Sequence, residues 1–252
     1  MNIKPPTLDD LDLLAQQYGL ELSIDDLESF QGLMAGPIAS YERIDQLTEP
    51  KPAVKYARAG GYRPEPGDNP LNAWYQKCSI KGARGGKLKG KIIVIKDNIC
   101  VAGVPMMNGA SVLEGYVPDI DATVVTRILD AGGEIAGKAV CENLCFSGGS
   151  HTCDTESVKN PHKHEHTTGG SSSGCGALVA AGEVDMAIGG DQGGSVRIPG
   201  SWCGLVGLKP TYGLVPYTGA FPIELTLGHL GPMTRSVADC ALLLEVVAGS
   251  DG

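Results

Sequence analysis

Two serines and one lysine occupy positions from which they could carry out nucleophilic chemistry. Ser171 and Ser195 lie in two glycine-rich loops, and Lys96 follows the apolar run of residues 92–95. Glycine lets a backbone approach a bound group and direct several N–H groups at an oxyanion or a phosphate. A lysine that ends an apolar strand can lose its proton when it is desolvated, so Lys96 is a candidate general base. Taken singly, each residue also has a plainer explanation, as a helix N-cap, a turn residue or a solvated strand end.

The glycines of the chain are concentrated around these serines. Glycine makes up 36 of the 252 residues, and fourteen of them fall within residues 169–219. No lysine followed by serine or threonine completes either loop, which argues against a nucleotide-binding P-loop. The stretch Gly170–Gly174 matches the pattern Gly-x-Ser-x-Gly around Ser172, but the polar segment before it lacks the buried strand of a nucleophile elbow.

The histidines and cysteines do not follow a recognised metal-binding pattern. His162, His164 and His166 alternate in one loop without a cysteine or carboxylate at a typical ligand spacing, so we assign no metal. The eight cysteines form no Cys-x-x-Cys pair, and most lie among apolar residues. We therefore expect reduced, buried thiols in a reducing compartment.

Strands and helices alternate along the part of the chain that must position these residues. Residues 91–96, 134–139 and 184–190 are predicted as strands, and helices are predicted to begin near Thr123, Ala177 and Ser236. Strand and helix in series indicate an α/β fold with a largely parallel sheet.

An acidic segment precedes this core. Residues 1–50 carry ten acidic and two basic groups, out of a net charge of −9 for the chain. Thr7 and Ser23 each begin a capping-box pattern, which predicts two amphipathic helices, the second bent or divided at Gly36-Pro37. Residues 48–69 have the proline and glycine content of a linker. We therefore divide the chain into a helical extension with its linker, residues 1–68, and a core, residues 69–252.

The charge pattern excludes two classes of partner. Beyond residue 50 the chain is nearly neutral, with 19 acidic and 18 basic residues, so no basic footprint for nucleic acid or anionic lipid is present. Neither a secretory signal nor an apolar stretch that could span a membrane is found. We expect a soluble, cytoplasmic protein.

Taken together, three motifs resemble the amidase signature family of serine hydrolases. They are IIVIKDNI at residues 92–99, GGSSSG at residues 169–174 and DMAIGGDQGGSVRIPGSWCGLVGLKPT at residues 185–211. The resemblance covers about residues 90–252. It implies the amidase-signature fold, a mixed and mostly parallel twisted sheet covered by helices, here with a helical N-terminal extension.

The resemblance also implies roles for individual residues. Lys96 corresponds to the base, Ser171 to the bridging serine after a cis peptide bond, and Ser195 to the nucleophile of a Ser-Ser-Lys triad that hydrolyses amides through an acyl-enzyme. The remaining implied site residues are Gln192, Gly193 and Gly194 with the Ser195 N–H group in the oxyanion hole, Cys145 and Phe146 in the substrate pocket, and Asp191, Arg197 and Ser172 in support of the loops. No cofactor is implied.

Three functions remain open on these grounds. The first is hydrolysis of a small carboxylic acid amide to the acid and ammonia or an amine. The second is the glutaminase component of the tRNA-dependent amidotransferase, and the third is an inactive, truncated assembly module. The acidic helices and the segments NPLNAWY and VAGVPMMNGAS resemble bacterial amidases associated with nitrile metabolism, which implies a homodimer formed through the N-terminal helices.

The length of the chain bears on its activity. Members of the family continue well beyond this length, so the resemblance implies that residues 1–252 are the N-terminal half of a larger hydrolase, with the triad and only part of the pocket. We expect this half, expressed alone, to be poorly soluble or inactive, because apolar faces would be left uncovered.

Overall fold

The computed structural model describes residues 3–251, which form two compact units that meet at the peptide bond between Lys51 and Pro52. The predicted linker contains one short 3-10 turn, Pro66–Asp68, and one isolated bridge between Tyr62 and Lys77. Residues 52–68 group with the larger unit, and the division at residue 68 stays a prediction about domains.

The smaller unit is a pair of helices, α1 (Leu8–Gln17) and α2 (Ile24–Asp45). Both predicted capping boxes are present, because Thr7 and Ser23 accept from the backbone N–H three residues later and that residue's carboxylate accepts in return. The second helix runs through Pro37 without interruption, so it is not divided there. A proline removes only one N–H donor from the helical ladder, and the helix continues on the others.

The larger unit contains eight strands and four further helices. The strands are β1 (Trp74–Lys81), β2 (Ile92–Lys96), β3 (Glu134–Ala139), β4 (Lys159–Asn160), β5 (Lys163–Thr167), β6 (Met186–Asp191), β7 (Val206–Gly207) and β8 (His229–Thr234). The helices are α3 (Thr123–Asp130), α4 (Ser173–Ala180), α5 (Arg197–Trp202) and α6 (Val237–Val247). The predicted helix at Ala177 therefore begins four residues earlier, whereas Ser236 caps α6 as expected.

Six of these strands form one sheet in the order β1-β3-β2-β6-β8-β7. The central pairs β3-β2 and β2-β6 are parallel, and the outer pairs are antiparallel. Strands β2, β3, β6 and β7 thus run in one direction, and β1 and β8 run in the other. The α/β fold with a mixed and mostly parallel sheet is confirmed.

Apolar side chains from both faces of the sheet build the core. Along β2, Ile93 and Ile95 join a cluster that includes residues of α3 and α6, and Val94 joins a cluster that includes residues of α4. Helices therefore cover both faces, and the carboxyl ends of β2 and β6 are left for polar residues. Lys96 and Asp191 are the last residues of those two strands.

The predicted histidine loop is a separate two-stranded hairpin formed by β4 and β5. Every residue of β5, including His164 and His166, is exposed, and His162 Nε2 lies 3.0 Å from the Cys203 carbonyl oxygen. Within residues 3–251 no three metal-ligating side chains come together. No helix in this range is long and apolar enough to cross a bilayer.

Candidate active site

Lys96 is fully buried at the carboxyl end of β2. Its Nζ donates to Ser171 Oγ at 2.7 Å and to the Gly190 carbonyl oxygen at 3.2 Å. Among the described residues, no carboxylate lies within ion-pair distance of this nitrogen. The structure thus joins two of the three predicted residues across 75 positions of sequence.

A buried ion pair fixes the chain just after Lys96. Asp97 lies 3.1 Å from Lys138 Nζ, and both side chains are almost wholly inaccessible. The second carboxylate oxygen of Asp97 accepts from the N–H groups of Met107 and Asn108. Burial raises the pKa of Asp97, and the attraction of Lys138 opposes that rise. This pair was missed from sequence, where its members lie on two separate predicted strands.

Ser171 is fully buried and follows a cis peptide bond, as the resemblance implied. The Gly170 N–H donates to the Gly148 carbonyl at 2.9 Å, and the Ser171 carbonyl accepts from the Glu142 N–H at 3.2 Å. A Cβ atom at Gly170 would approach the Gly149 carbonyl oxygen to 2.0 Å, so only glycine fits there. Ser171 is not an N-cap, because α4 begins after Ser172.

Ser172 links the two glycine-rich loops. Its N–H donates to the Ser195 carbonyl at 3.2 Å, its hydroxyl donates to the Gly190 carbonyl at 3.2 Å, and the same hydroxyl accepts from the Gly190 N–H. Ser195 lies between β6 and α5 and is 8% exposed. The loops that carry the two predicted serines are therefore hydrogen-bonded neighbours.

The Asp191 carboxylate organises the loop that carries Ser195. It accepts from the backbone N–H groups of Gly194 and Val196, at 2.8 and 3.1 Å, and from Arg197 Nε and Nη2, at 3.0 and 2.9 Å. Burial alone would raise the pKa of Asp191, but the Arg197 guanidinium and the N–H donors hold it below its ordinary value. The expected partnership of Asp191 and Arg197 is present.

Acid should weaken this loop. Because the pKa of Asp191 is depressed in the folded protein, the charged form contributes stability above the unfolded value of about 4, and that stability is lost as the pH falls through the folded value. We expect Asp191→Asn to lower the free energy of unfolding at neutral pH by about 2 kcal/mol. In urea denaturation from about pH 6 to about pH 2, the wild type should lose stability more steeply than the variant. Parallel curves would show that Asp191 is not held in its charged form.

One predicted oxyanion donor is used elsewhere. The Gly194 N–H points at Asp191 Oδ1, so we remove it from the candidate hole. The N–H groups of Gln192, Gly193 and Ser195 make no backbone hydrogen bond with another described residue outside the regular elements. These three residues line a cavity of about 450 Å³. The cavity's other wall residues include the segment 145–148, Ile198, Ile223 and Leu227.

Cys145 and Phe146, predicted in the pocket, lie in this wall. Phe146 is 80% exposed, whereas Cys145 is 2% exposed and has a left-handed φ of 62°. Cys145 Sγ donates to Asn108 Oδ1 at 3.2 Å. Burial raises the pKa of this thiol, but a hydrogen bond with Cys141 and the nearby Lys96 bring it down to about 7. The cavity therefore contains a second nucleophile, which the sequence pattern did not identify.

Comparison with known proteins gives one family. The family model described as Amidase matches residues 72–252. The chain is similar to the "Enantioselective amidase" of Rhodococcus rhodochrous, at 49% identity over the whole chain and 48% of that protein. It is also similar to the A component of the glutamyl-tRNA(Gln) amidotransferase of Haloarcula marismortui, at 44% identity over 71% of the chain and 42% of that protein.

Two solved structures agree with this family. The corresponding A component of the glutamyl-tRNA(Gln) amidotransferase of Thermotoga maritima has a TM-score of 0.70 and 38% identity, over 73% of this chain and 41% of that one. The native peptide amidase of Stenotrophomonas maltophilia has a TM-score of 0.62 and 39% identity, over 66% of this chain and 35% of that one. The chain spans about half the length of the curated relatives it matches.

Proposed function

The chain belongs to the amidase family, and we propose that the protein containing it hydrolyses a carboxylic acid amide to the acid and ammonia or an amine. The observation that carries this proposal is the buried 2.7 Å contact between Lys96 Nζ and Ser171 Oγ, beside the loop of Ser195. A lysine and two serines in contact can move a proton between a nucleophile and a leaving group without a histidine.

The first half of the reaction forms an acyl-enzyme. Neutral Lys96 accepts the proton of Ser171, Ser171 takes the proton of Ser195, and Ser195 Oγ bonds to the amide carbon. The carbonyl π electrons move to the oxygen, and the N–H groups of Gln192, Gly193 and Ser195 stabilise that oxyanion. When the oxyanion collapses, the C–N bond breaks and Ser171 returns a proton to the departing amine.

The second half repeats these transfers with water. The Ser171 hydroxyl and Lys96 take a proton from the water as its oxygen attacks the acyl carbon, and the ester bond to Ser195 then breaks. Ser195 regains its proton and the acid leaves. Over the cycle one amide and one water become one acid and one amine, so no electron carrier enters the balance.

We assign the nucleophile to Ser195 rather than to Cys145 because of the backbone around each. The Cys145 N–H donates to the Glu142 carbonyl at 2.8 Å, and the adjacent N–H groups of Leu144 and Phe146 also have carbonyl acceptors. The N–H groups beside Ser195 have no such partner, and an oxyanion needs unoccupied donors.

The glutaminase of an amidotransferase is the second candidate, favoured by relatives of that name at 44% identity. Two observations favour the independent amidase. The relative named an enantioselective amidase matches the whole chain, whereas the H. marismortui protein matches 71% of it, and identity to the amidase is higher.

A substrate panel separates these candidates. We expect ammonia release from simple aliphatic or aromatic amides by the purified protein without any other component, and a rate difference between the enantiomers of a chiral amide. Activity confined to glutamine, and stimulated by partner proteins with charged tRNA, would instead establish the glutaminase.

We also propose a homodimer formed through α1 and α2. These helices and the turn between them expose large apolar side chains, among them Leu20, Ile24 and Leu33, at 53%, 68% and 71%. Burial of such side chains against a second copy would remove apolar area from water. Light scattering on the protein before and after deletion of residues 1–51 tests this, and an unchanged oligomeric state contradicts it.

A cytoplasmic location belongs to the same proposal. All eight cysteines are free thiols, and seven of them are buried. Reduced thiols persist in reducing compartments, which is the condition of the cytoplasm.

A further inference from the structure

Glu142 is a buried carboxylate that the reaction described above does not use. Its side chain is fully inaccessible. Oε2 accepts from the His151 N–H at 3.1 Å, from the Thr152 N–H at 2.9 Å and from Thr152 Oγ1 at 2.7 Å. Oε1 is buried without a hydrogen-bond partner among the described residues. Burial of a carboxylate costs free energy unless hydrogen bonds compensate it, so the three donors identify what this group holds.

The three hydrogen bonds close a loop. Glu142 begins it and Thr152 ends it, so the carboxylate joins the two ends of residues 142–152. Between these ends lies the segment 145–148, which forms part of the cavity wall. Loss of the carboxylate would free one end of the loop and leave three donors without an acceptor.

The same loop holds the segment that carries Ser171. The Glu142 N–H donates to the Ser171 carbonyl at 3.2 Å, and the Gly148 carbonyl accepts from the Gly170 N–H at 2.9 Å. The packing is close as well, because a Cβ atom at Gly170 would approach Glu142 Cγ to 2.8 Å. The loop therefore contacts the dipeptide 170–171 on both sides of its peptide bond.

We propose that Glu142 is a positioning residue, whose carboxylate closes the loop 142–152 so that Ser171 is held in place for proton transfer to the leaving group. The inference rests on the proposed amide hydrolysis, since it assigns Glu142 a part in that reaction. Glu142 acts through Ser171 and does not contact the reacting atoms.

The leaving group provides a specific test of this role. An amine leaves a tetrahedral intermediate only after it is protonated, whereas the alkoxide or phenoxide of an ester needs less help from an acid. A displaced Ser171 should therefore slow the hydrolysis of an amide more than that of an ester with the same acyl group. Damage to the fold would reduce both rates by the same factor.

Two substitutions at Glu142 separate the carboxylate's acceptor role from its charge. Glu142→Ala removes the acceptor, and we expect kcat for the amide to fall by about 100-fold and kcat for the matched ester by less than about 5-fold. Glu142→Gln retains an acceptor oxygen for the same three donors, and both rates should stay within about 5-fold of wild type. Glu156→Ala, at an exposed carboxylate outside the cavity, serves as the control and should match wild type.

The rates are expressed per active site, counted by the stoichiometry of fluorophosphonate labelling. If Glu142→Ala yields no folded protein, Thr152→Val supplies the measurement, because it removes one of the three donors and should lower the ratio of amide to ester rates in the same direction. An unchanged ratio in the folded variants overturns the proposal, as does a Glu142→Gln variant as impaired as Glu142→Ala. Amide turnover by wild type that disappears in Ser195→Ala shows separately whether the proposed function holds.

Discussion

Replacement of Ser195 by alanine should abolish amide turnover, with kcat falling by on the order of 10⁵-fold or more. The reason is that Ser195 Oγ forms the bond to the acyl carbon, and alanine has no atom that can replace it. Because Ser195 is 8% exposed and lines the cavity, the truncation removes one oxygen without opening the core. Ammonia release from an amide substrate, measured beside thermal unfolding, gives the result.

Ser201→Ala is the matched control for this variant. Ser201 is an exposed serine of α5, the helix that follows the Ser195 loop, and its loss should leave turnover and stability unchanged. Retention of a tenth or more of the wild-type rate by Ser195→Ala would mean that another group is the nucleophile. Cys145 would then be the first residue to replace, since its thiol lies in the same cavity with a lowered pKa of about 7.

Replacement of Lys96 should have the second largest effect. Lys96→Ala is expected to lower kcat by about 10³- to 10⁴-fold, because the proton of Ser171 then has no acceptor. Lys96→Arg should be as inactive, since a guanidinium keeps its protons and cannot serve as a base. The pair of variants distinguishes a need for a base from a need for positive charge at the end of β2.

Chemical rescue makes the Lys96 prediction more specific. A small primary amine in solution should restore part of the activity of Lys96→Ala, and the restored rate should rise with pH as the amine loses its proton. Lys89→Met, at an exposed lysine before β2, should behave as wild type. A Lys96→Arg variant with near wild-type turnover would rule out proton transfer by Lys96.

Much of the sheet could be predicted from local sequence. The β-branched run that ends at Lys96 and the segment 134–139 form strands as expected, because strands buried on both faces read as continuous apolar stretches. Strand β8 was missed, since Gly231 and Pro232 interrupt it, and both residues normally argue against a strand. Its place between β6 and β7 depends on tertiary pairing that no local pattern encodes.

The candidate site shows the same limit. Lys96, Ser171 and Ser195 each had a plain local explanation, and it was the family resemblance that grouped them. The structure brings Lys96 and Ser171 into contact across 75 positions. The groups around them could not be read from spacing, because Asp97 meets Lys138 across 41 positions and Glu142 meets Ser171 across 29. The use of the Gly194 N–H by Asp191 depends on backbone geometry, which glycine content does not specify.

Trapping of the acyl-enzyme tests the central claim most directly. The protein is mixed with an amide substrate, quenched in acid within the first turnover, digested and analysed by mass spectrometry. The account predicts the mass of the acyl group on the peptide that contains Ser195, an adduct that is absent from Ser195→Ala and is released by hydroxylamine. An adduct on Cys145, or turnover without any covalent adduct, would contradict it.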